Sequence, residues 1–327
     1  MKKPNILISH EPKSDEREIF LEVLGDQAEV AFLAEIPGTA RMEAIQKAEV
    51  LISWSPAKEF QASEYDHLGE ARLIQLLTAG ADHVPFGFLP SSPVMASNVG
   101  AYAEPMAEHV LALALALVKR LLINHAKLQV GDFDQSTKNR MLKGLVCGIL
   151  GYGGIGRAVA ALMGPLGLRI HAVNTSGKTP DPVDIVGTLD DLEQVLRNAD
   201  VLVVALPLTR HTRGLLDERR LSWMKTDAIL INVARGAIID EEALYRRLQE
   251  NPSFMAAIDT WWIEPASHGE FRVNYPFFSL PNFLGSPHNS PVVLGTLQGA
   301  IRTACENVLR FLRGEPARGI ISREDYS

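Results

Sequence analysis

The sequence predicts an α/β protein built as two doubly wound, parallel-sheet domains. Short apolar runs alternate with amphipathic segments, and the alternation occurs twice, once in the first hundred residues and again from residue 145. A glycine-rich turn, Gly151-Tyr152-Gly153-Gly154-Ile155-Gly156, stands between a strand pattern and a helix pattern. The 327 residues suffice for two domains of ordinary size.

Residues 6–9 read as the first strand. Ser14 is placed to cap a helix that Gly25 closes. Residues 29–33 read as strand, 39–47 as helix, and 50–53, 73–77 and 94–96 as strands. Glu104-Pro105 opens a helix whose apolar residues continue through Leu122, proline being favoured in a first turn. That helix is apolar nearly all round, which predicts burial on more than one side and a subunit interface. The second alternation has strands at 145–150, 168–173, 201–206, 228–233 and 254–258, and helices at 155–166, 189–197 and 241–249. A short strand at 283–286, a closing helix at 291–314 and a frayed tail at 322–327 complete the reading.

Hydrophobic residues make up 46% and charged residues 22%, which excludes a disordered, collagenous or coiled-coil chain. Cys147 and Cys305 have no CxxC partner, so neither a disulfide scaffold nor a metal site is expected, and both read as reduced core residues. The net charge is −7, and Lys and Arg are scattered, without the basic patch of a nucleic-acid binder. The longest apolar stretch, 110–118, is far short of the ~20 residues of a membrane span. Met1-Lys2-Lys3-Pro4 leads into a run too short for a signal-peptide core. The expectation is a cytoplasmic protein with no nucleic-acid or membrane partner.

In the glycine turn, Gly151 makes the tight bend, Gly153 lets the backbone approach a pyrophosphate, and Gly156 allows the helix to pack on the strand. The amides of Gly154 and Ile155, at a helix N-terminus, face the phosphates. Asn174 stands eighteen residues after Gly156, where a carboxylate would favour NAD. A neutral residue there removes the repulsion against a 2′-phosphate, and Thr175, Ser176 and Lys178 offer donors, although no arginine is visible. The cofactor expected is therefore NAD(P), with a lean to NADP.

Arg235, Glu264 and His288 each lie just past a predicted strand end, where ligands bind in open α/β sheets. A guanidinium holds a carboxylate or polarises a carbonyl. An imidazole donates a proton to a forming alkoxide, and a neighbouring carboxylate orients it and favours its protonated form. This chemistry fits a 2-oxo acid. Taken singly, each residue is also readable as an ion pair or loop residue.

The chain resembles the D-isomer-specific 2-hydroxyacid dehydrogenases over nearly its whole length. The resemblance is carried by Thr78-Ala79-Gly80-Ala81-Asp82, Asn98-Val99-Gly100 running to Ala107-Glu108-His109, and the glycine turn. Leu206-Pro207-Leu208-Thr209 with Thr212, Asn232–Gly236, Asp259 through Glu264-Pro265, and Pro287-His288 follow in order. It implies a Rossmann cofactor domain, 101–289, inserted into a flavodoxin-like substrate domain, 1–100 with 290–327. It implies His288 as general acid in reduction, Glu264 as its tuning partner, and Arg235 on the substrate carboxylate and 2-oxo oxygen. Ala79 and Gly80 would bind the carboxylate through their amides. Asp259 and Val233 would hold the nicotinamide carboxamide, with Met106 near the ring and Pro207 and Thr212 lining the cofactor. The helix after Tyr102 would serve a homodimer.

Several positions depart from the family pattern. Trp261-Trp262 replaces a small-plus-Phe pair, Asn289-Ser290-Pro291 follows the histidine, and 268–275 is an aromatic-containing stretch without an assigned role. A second reading is a dinucleotide-sensing regulatory protein on the same fold; the complete Arg235, Glu264 and His288 set favours the enzyme. Formate oxidation is a third, in a branch that carries glutamine where Glu264 stands.

Overall fold

The computed structural model describes residues 3–326, and among them twelve strands form two all-parallel sheets. The chain divides into two compact units, one comprising residues up to Tyr102 together with those from Val293 onward, the other Ala103–Val292.

The first unit holds β1 (Asn5–Ile8), β2 (Glu29–Phe32), β3 (Val50–Ser53), β4 (Leu73–Leu76) and β5 (Val94–Ala96) in the order β2-β1-β3-β4-β5. This is the flavodoxin-like order. Side chains alternate across a strand, so Ile6 and Ile8 enter one core with Phe20 and Leu73 while Leu7 enters the other with Leu51 and Ile74. The helix Thr296–Leu312 covers the first face through Ala300, Ile301, Ala304, Cys305 and Val308, spaced three and four apart. Its Asn307 Nδ2 donates to Gln75 Oε1 at 2.7 Å, which satisfies the side-chain oxygen of a glutamine buried inside β4.

The second unit holds β6 (Val146–Leu150), β7 (Arg169–Val173), β8 (Ile185–Gly187), β9 (Val201–Val204), β10 (Ile229–Asn232), β11 (Met255–Ile258) and β12 (Phe283–Gly285). Their order is β12-β11-β10-β9-β6-β7-β8. The chain runs outward from β6 through β7 to β8, then returns to β9 on the other side. The order thus reverses between β6 and β9, which opens a crevice at their carboxyl ends. The glycine turn leaves β6 at that point.

Several local expectations are corrected. The first helix starts at Ser14, and Lys13 occupies the cap position, its amide donating to Glu16 at 3.2 Å. The helix expected to run through Leu122 ends at Val118; Arg120 adopts φ +50°, and a second helix, Leu121–Gln129, follows with no buried residue. The strand β8 carried no signal because it is three residues long and flanked by Pro182 and Asp184. The closing helix starts at Thr296 because Pro291 and the left-handed Gly295 precede it. The expected frayed tail is anchored: Arg323 donates to the carbonyls of Leu89 and Pro90, and Tyr326 stacks on Phe86 at 5.1 Å. Ser327 lies outside the described residues.

Both cysteines are fully buried, and burial pushes both thiols up to about 12. Neither is expected to react with a thiol reagent at pH 8 in the native protein, and both should react after unfolding. Rapid labelling without denaturant would contradict the buried placement.

Candidate active site

The glycine turn is shaped by its neighbours. Gly151 has φ +98°, and a Cβ there would lie 2.5 Å from the Ala205 carbonyl oxygen. A Cβ on Gly156 would collide with the Gly151 carbonyl and press on Ile149, so helix Gly154–Met163 sits close on β6 only because that residue is glycine. At Gly153 an added Cβ would meet nothing, and this exposed residue caps the helix without a side-chain hydrogen bond. The amides of Gly154 and Ile155 therefore start an uncapped helix beside open space. That arrangement fits a dinucleotide pyrophosphate.

The loop after β7 is organised by Asn174. Its Oδ1 accepts from the amides of Ser176 (3.0 Å) and Gly177 (2.7 Å), and its Nδ2 donates to the Lys178 carbonyl at 2.9 Å. Thr175, Ser176 and Lys178 are left exposed. Sequence reading found no arginine for this loop. The structure supplies Arg157, one residue past the glycine turn, whose Nη2 pairs with Asp181 at 2.8 Å just beyond the loop.

After β10, Asn232 clamps the loop that carries Arg235. Its Oδ1 accepts from the Ala234 amide at 3.0 Å, and its Nδ2 donates to the Arg235 carbonyl at 2.9 Å. Gly236 follows, with the backbone of Trp261 and Trp262 pressed against it. A side chain there would push the Arg235 loop away from the segment leading to Glu264.

Asp259, fully buried past β11, organises the loop that carries His288. Its carbonyl accepts from the His288 amide at 2.7 Å. Its Oδ1 accepts from Ser286 Oγ (2.6 Å) and the Asn289 amide (3.2 Å), and its Oδ2 from the Ser290 amide (3.2 Å). His109 Nε2 lies 3.0 Å from Ser286 Oγ and 3.7 Å from Asp259 Oδ1. These contacts hold His288 at φ +51°, a left-handed conformation that costs a non-glycine residue about 1–2 kcal/mol. His109 stands on helix Ala103–Val118, far from Ser286 and Asp259 in the chain, and only the fold brings it to this cluster.

His288 Nδ1 donates to Glu264 Oε2 at 2.9 Å, while Glu264 Oε1 accepts from the Trp261 amide at 2.6 Å. Burial works to raise the Glu264 carboxyl, but the His288 bond, the Trp261 amide and the charge of Arg235 outweigh it and hold it below its ordinary value. Asp259 is likewise held low: hydrogen bonds from Ser286 and Ser290 and the nearby His109 overcome a large burial penalty. Glu264 is thus an ionised carboxylate that fixes the ring through Nδ1, leaving Nε2 as the atom that can pass a proton.

The remaining expected residues are spread over the same unit, with two exceptions. Met106 is buried on helix Ala103–Val118. Thr212 Oγ1 donates to the Pro207 carbonyl at 2.6 Å and accepts from the Thr209 amide at 2.8 Å, shaping the loop after β9. Val233 is buried, its amide on the Val204 carbonyl at 3.2 Å. Ala79 and Gly80 belong to the other unit, on the loop after β4, where Thr78 Oγ1 donates to the Gly80 carbonyl at 2.8 Å. Among the described residues no group of three or more His, Cys, Asp or Glu is placed to hold a metal ion.

Comparison with known proteins is consistent with this geometry. Residues 111–290 match the family described as D-isomer specific 2-hydroxyacid dehydrogenase, NAD binding domain. A glyoxylate reductase of Aeropyrum pernix is 30% identical over 262 residues, 77% of each chain. A glyoxylate reductase of Thermococcus gammatolerans is 26% identical over 89% of this chain and 87% of its own. A solved structure from Pyrobaculum aerophilum, provisionally described as a formate dehydrogenase, is 28% identical with a TM-score of 0.81 over the whole of both chains.

Asp259→Asn would keep one acceptor but turn an amide donor toward the Ser290 or Asn289 amide. The expected loss is about 1–3 kcal/mol of stability, read from urea unfolding. Because Asp259 is held below its ordinary value, its contribution is complete above that value and is lost as pH falls through the lowered one. An unfolding curve identical to the wild type at pH 7 would contradict the anchoring role.

Proposed function

The chain belongs to the D-isomer-specific 2-hydroxyacid dehydrogenases, which move a hydride between a nicotinamide dinucleotide and C2 of a 2-oxo or D-2-hydroxy acid, and on that premise we propose how its residues divide the work. His288 is the general acid in reduction: its Nε2 gives a proton to the 2-oxo oxygen, and takes one back in oxidation. Glu264 holds the ring and stabilises the imidazolium. Arg235 grips the substrate carboxylate and 2-oxo oxygen, and the amides of Ala79 and Gly80 are assigned to the carboxylate by the family resemblance. When bound, the dinucleotide supplies the hydride that C2 receives. The observation that carries an enzyme, rather than a dinucleotide sensor, is the assembled His288–Glu264 pair at 2.9 Å.

For the cofactor, Gly151, Gly153, Gly154, Ile155 and Gly156 receive the pyrophosphate, and Pro207, Thr212, Val233 and Met106 line the nicotinamide half. Asp259 and the Val233 backbone are assigned to the nicotinamide carboxamide, and Asp259 also holds the loop at that end. We propose NADPH as the preferred form. Asn174 brings no negative charge, Thr175, Ser176 and Lys178 are exposed, and Arg157 stands beside the loop through Asp181. A homodimer is proposed from helix Leu121–Gln129, which buries none of its side chains, and from Val130 and Phe133 after it, 81% and 73% exposed. Light scattering in solution checks it, and a monomer at all concentrations would refute it. Among the described residues no helix is long and apolar enough to cross a membrane.

Oxidation of NADPH and NADH, followed by absorbance with a panel of 2-oxo acids, tests the activity. His288→Ala is expected to lower kcat by about 10²–10⁴-fold with little effect on cofactor binding. Glu264→Gln removes a negative charge from the imidazolium, so the alkaline limb of the reduction profile should move to lower pH. An alkaline limb left in place would sink the Glu264 assignment. Equal kcat/KM with NADH and NADPH would sink the cofactor preference, which Arg157→Ala should otherwise weaken.

A further inference from the structure

Beside the acid/base pair lies a cavity of about 540 Å³ that the cofactor assignment does not use. His288 and Glu264 form part of its wall. The rest is almost wholly apolar: Trp261, Phe271 and Phe278, with Pro265, Pro287 and Pro291 among the other lining residues. Its volume is well within the ~300–1,000 Å³ of ligand pockets, and far more than a two-carbon oxo acid fills.

The wall is a built feature. Trp261 is buried, and its Nε1 donates to the Ser286 carbonyl at 2.8 Å, which fixes the indole on the loop that presents His288. Phe271 meets the indole edge-on at 5.1 Å, and Phe278 packs against it at 5.5 Å. Gly285 leaves room for both: a Cβ there would lie 2.8 Å from the Trp261 ring and 3.1 Å from Phe278. The unassigned stretch 268–275 supplies Phe271 and is tied down on both sides of it: before it, the Glu264 amide donates to His268 Nδ1 at 3.1 Å. Arg272 pairs with Ile263 across an isolated bridge, the amide of Asn274 donates to Glu241 at 2.8 Å, and Tyr275 stacks on Tyr245 at 5.3 Å. Phe271 and Phe278 nevertheless remain 50% and 61% exposed, which is unusual for large apolar rings beside a cavity. Trp262 takes no part; it stacks on Phe277 and donates to the Ile239 carbonyl.

We propose that this aromatic-walled cavity receives the side chain of the substrate, and that the substrate class is 2-oxo acids with an aromatic side chain. The inference rests on the reading of His288 and Glu264 as the acid/base pair, because it is their place in the wall that ties the cavity to the reacting carbon. An aryl ring in it would stack edge-to-face or offset on Trp261 and Phe271 and cover the exposed aromatic surface.

The test is the ratio of kcat/KM for phenylpyruvate to that for glyoxylate, measured on the full chain with saturating reduced dinucleotide. The wild-type ratio is expected above one. Phe271→Ala should lower it about ten-fold or more, and Phe271→Tyr, which keeps the ring, should restore most of it. A wild-type ratio below one, or a ratio unmoved by Phe271→Ala, overturns the aromatic subsite and leaves the acid/base reading standing. If neither acid is turned over, the acid/base reading fails. Quenching of tryptophan fluorescence by phenylpyruvate, lost in Trp261→Phe, would then still support the subsite, and no quenching would overturn it as well. A change of oligomeric state in Phe271→Ala at constant ratio would assign the aromatic surface to a subunit contact and overturn the proposal.

Discussion

The site depends on one buried carboxylate. Asp259 gathers three donors from the loop 286–290, and its backbone carbonyl takes a fourth from His288 itself. A carboxylate with no exposure is tolerated only when hydrogen bonds replace its lost hydration. Here the replacement comes from the backbone that must be held in a strained, left-handed turn. The desolvation demand of one residue is therefore met by the strain of another, and neither feature would persist alone. From that turn His288 meets Glu264, and Trp261 is tied to the same loop through the Ser286 carbonyl.

The parallel sheet supplies the frame for this arrangement. β10, β11 and β12 lie side by side, so the segments leaving their carboxyl ends emerge together. Arg235, Glu264 and His288 follow those three strands, although they are far apart in the chain. Gly236 and Gly285 set the spacing between these segments: one admits the backbone of 261–262, the other the ring of Trp261. The glycine turn on β6 follows the same logic, since Gly151 and Gly156 are required by protein packing, while Gly153 faces open space.

Much of this was legible in the sequence because it is local. Strand periodicity, the glycine turn and the motifs around Arg235, Glu264 and His288 each sit in a short window. What stayed hidden depends on contacts between windows. His109 looks like an ordinary helix residue until β12 brings Ser286 against it, and Arg157 is unremarked until Asp181 shows which loop it faces. The stretch 268–275 has no regular pattern, so only its fixed ends reveal that it displays Phe271. The break at Arg120 is hidden for a related reason. The apolar pattern continues through Leu122, while the backbone turns left-handed at Arg120, a residue whose side chain gives no turn signal.

The discontinuous first unit has a consequence for how the chain is made. Its sheet comes from the first hundred residues, but one face is covered by helix Thr296–Leu312, and the Gln75–Asn307 bond spans 232 residues. During synthesis, that sheet emerges long before its cover. The second unit, contiguous from Ala103 to Val292, can complete its fold while the apolar face of the first still waits. The early-emerging β-sheet thus keeps one apolar face without its helical cover until Thr296–Leu312 has been made, and a chain stopped before residue 293 would carry a contiguous middle unit beside an unfinished first one.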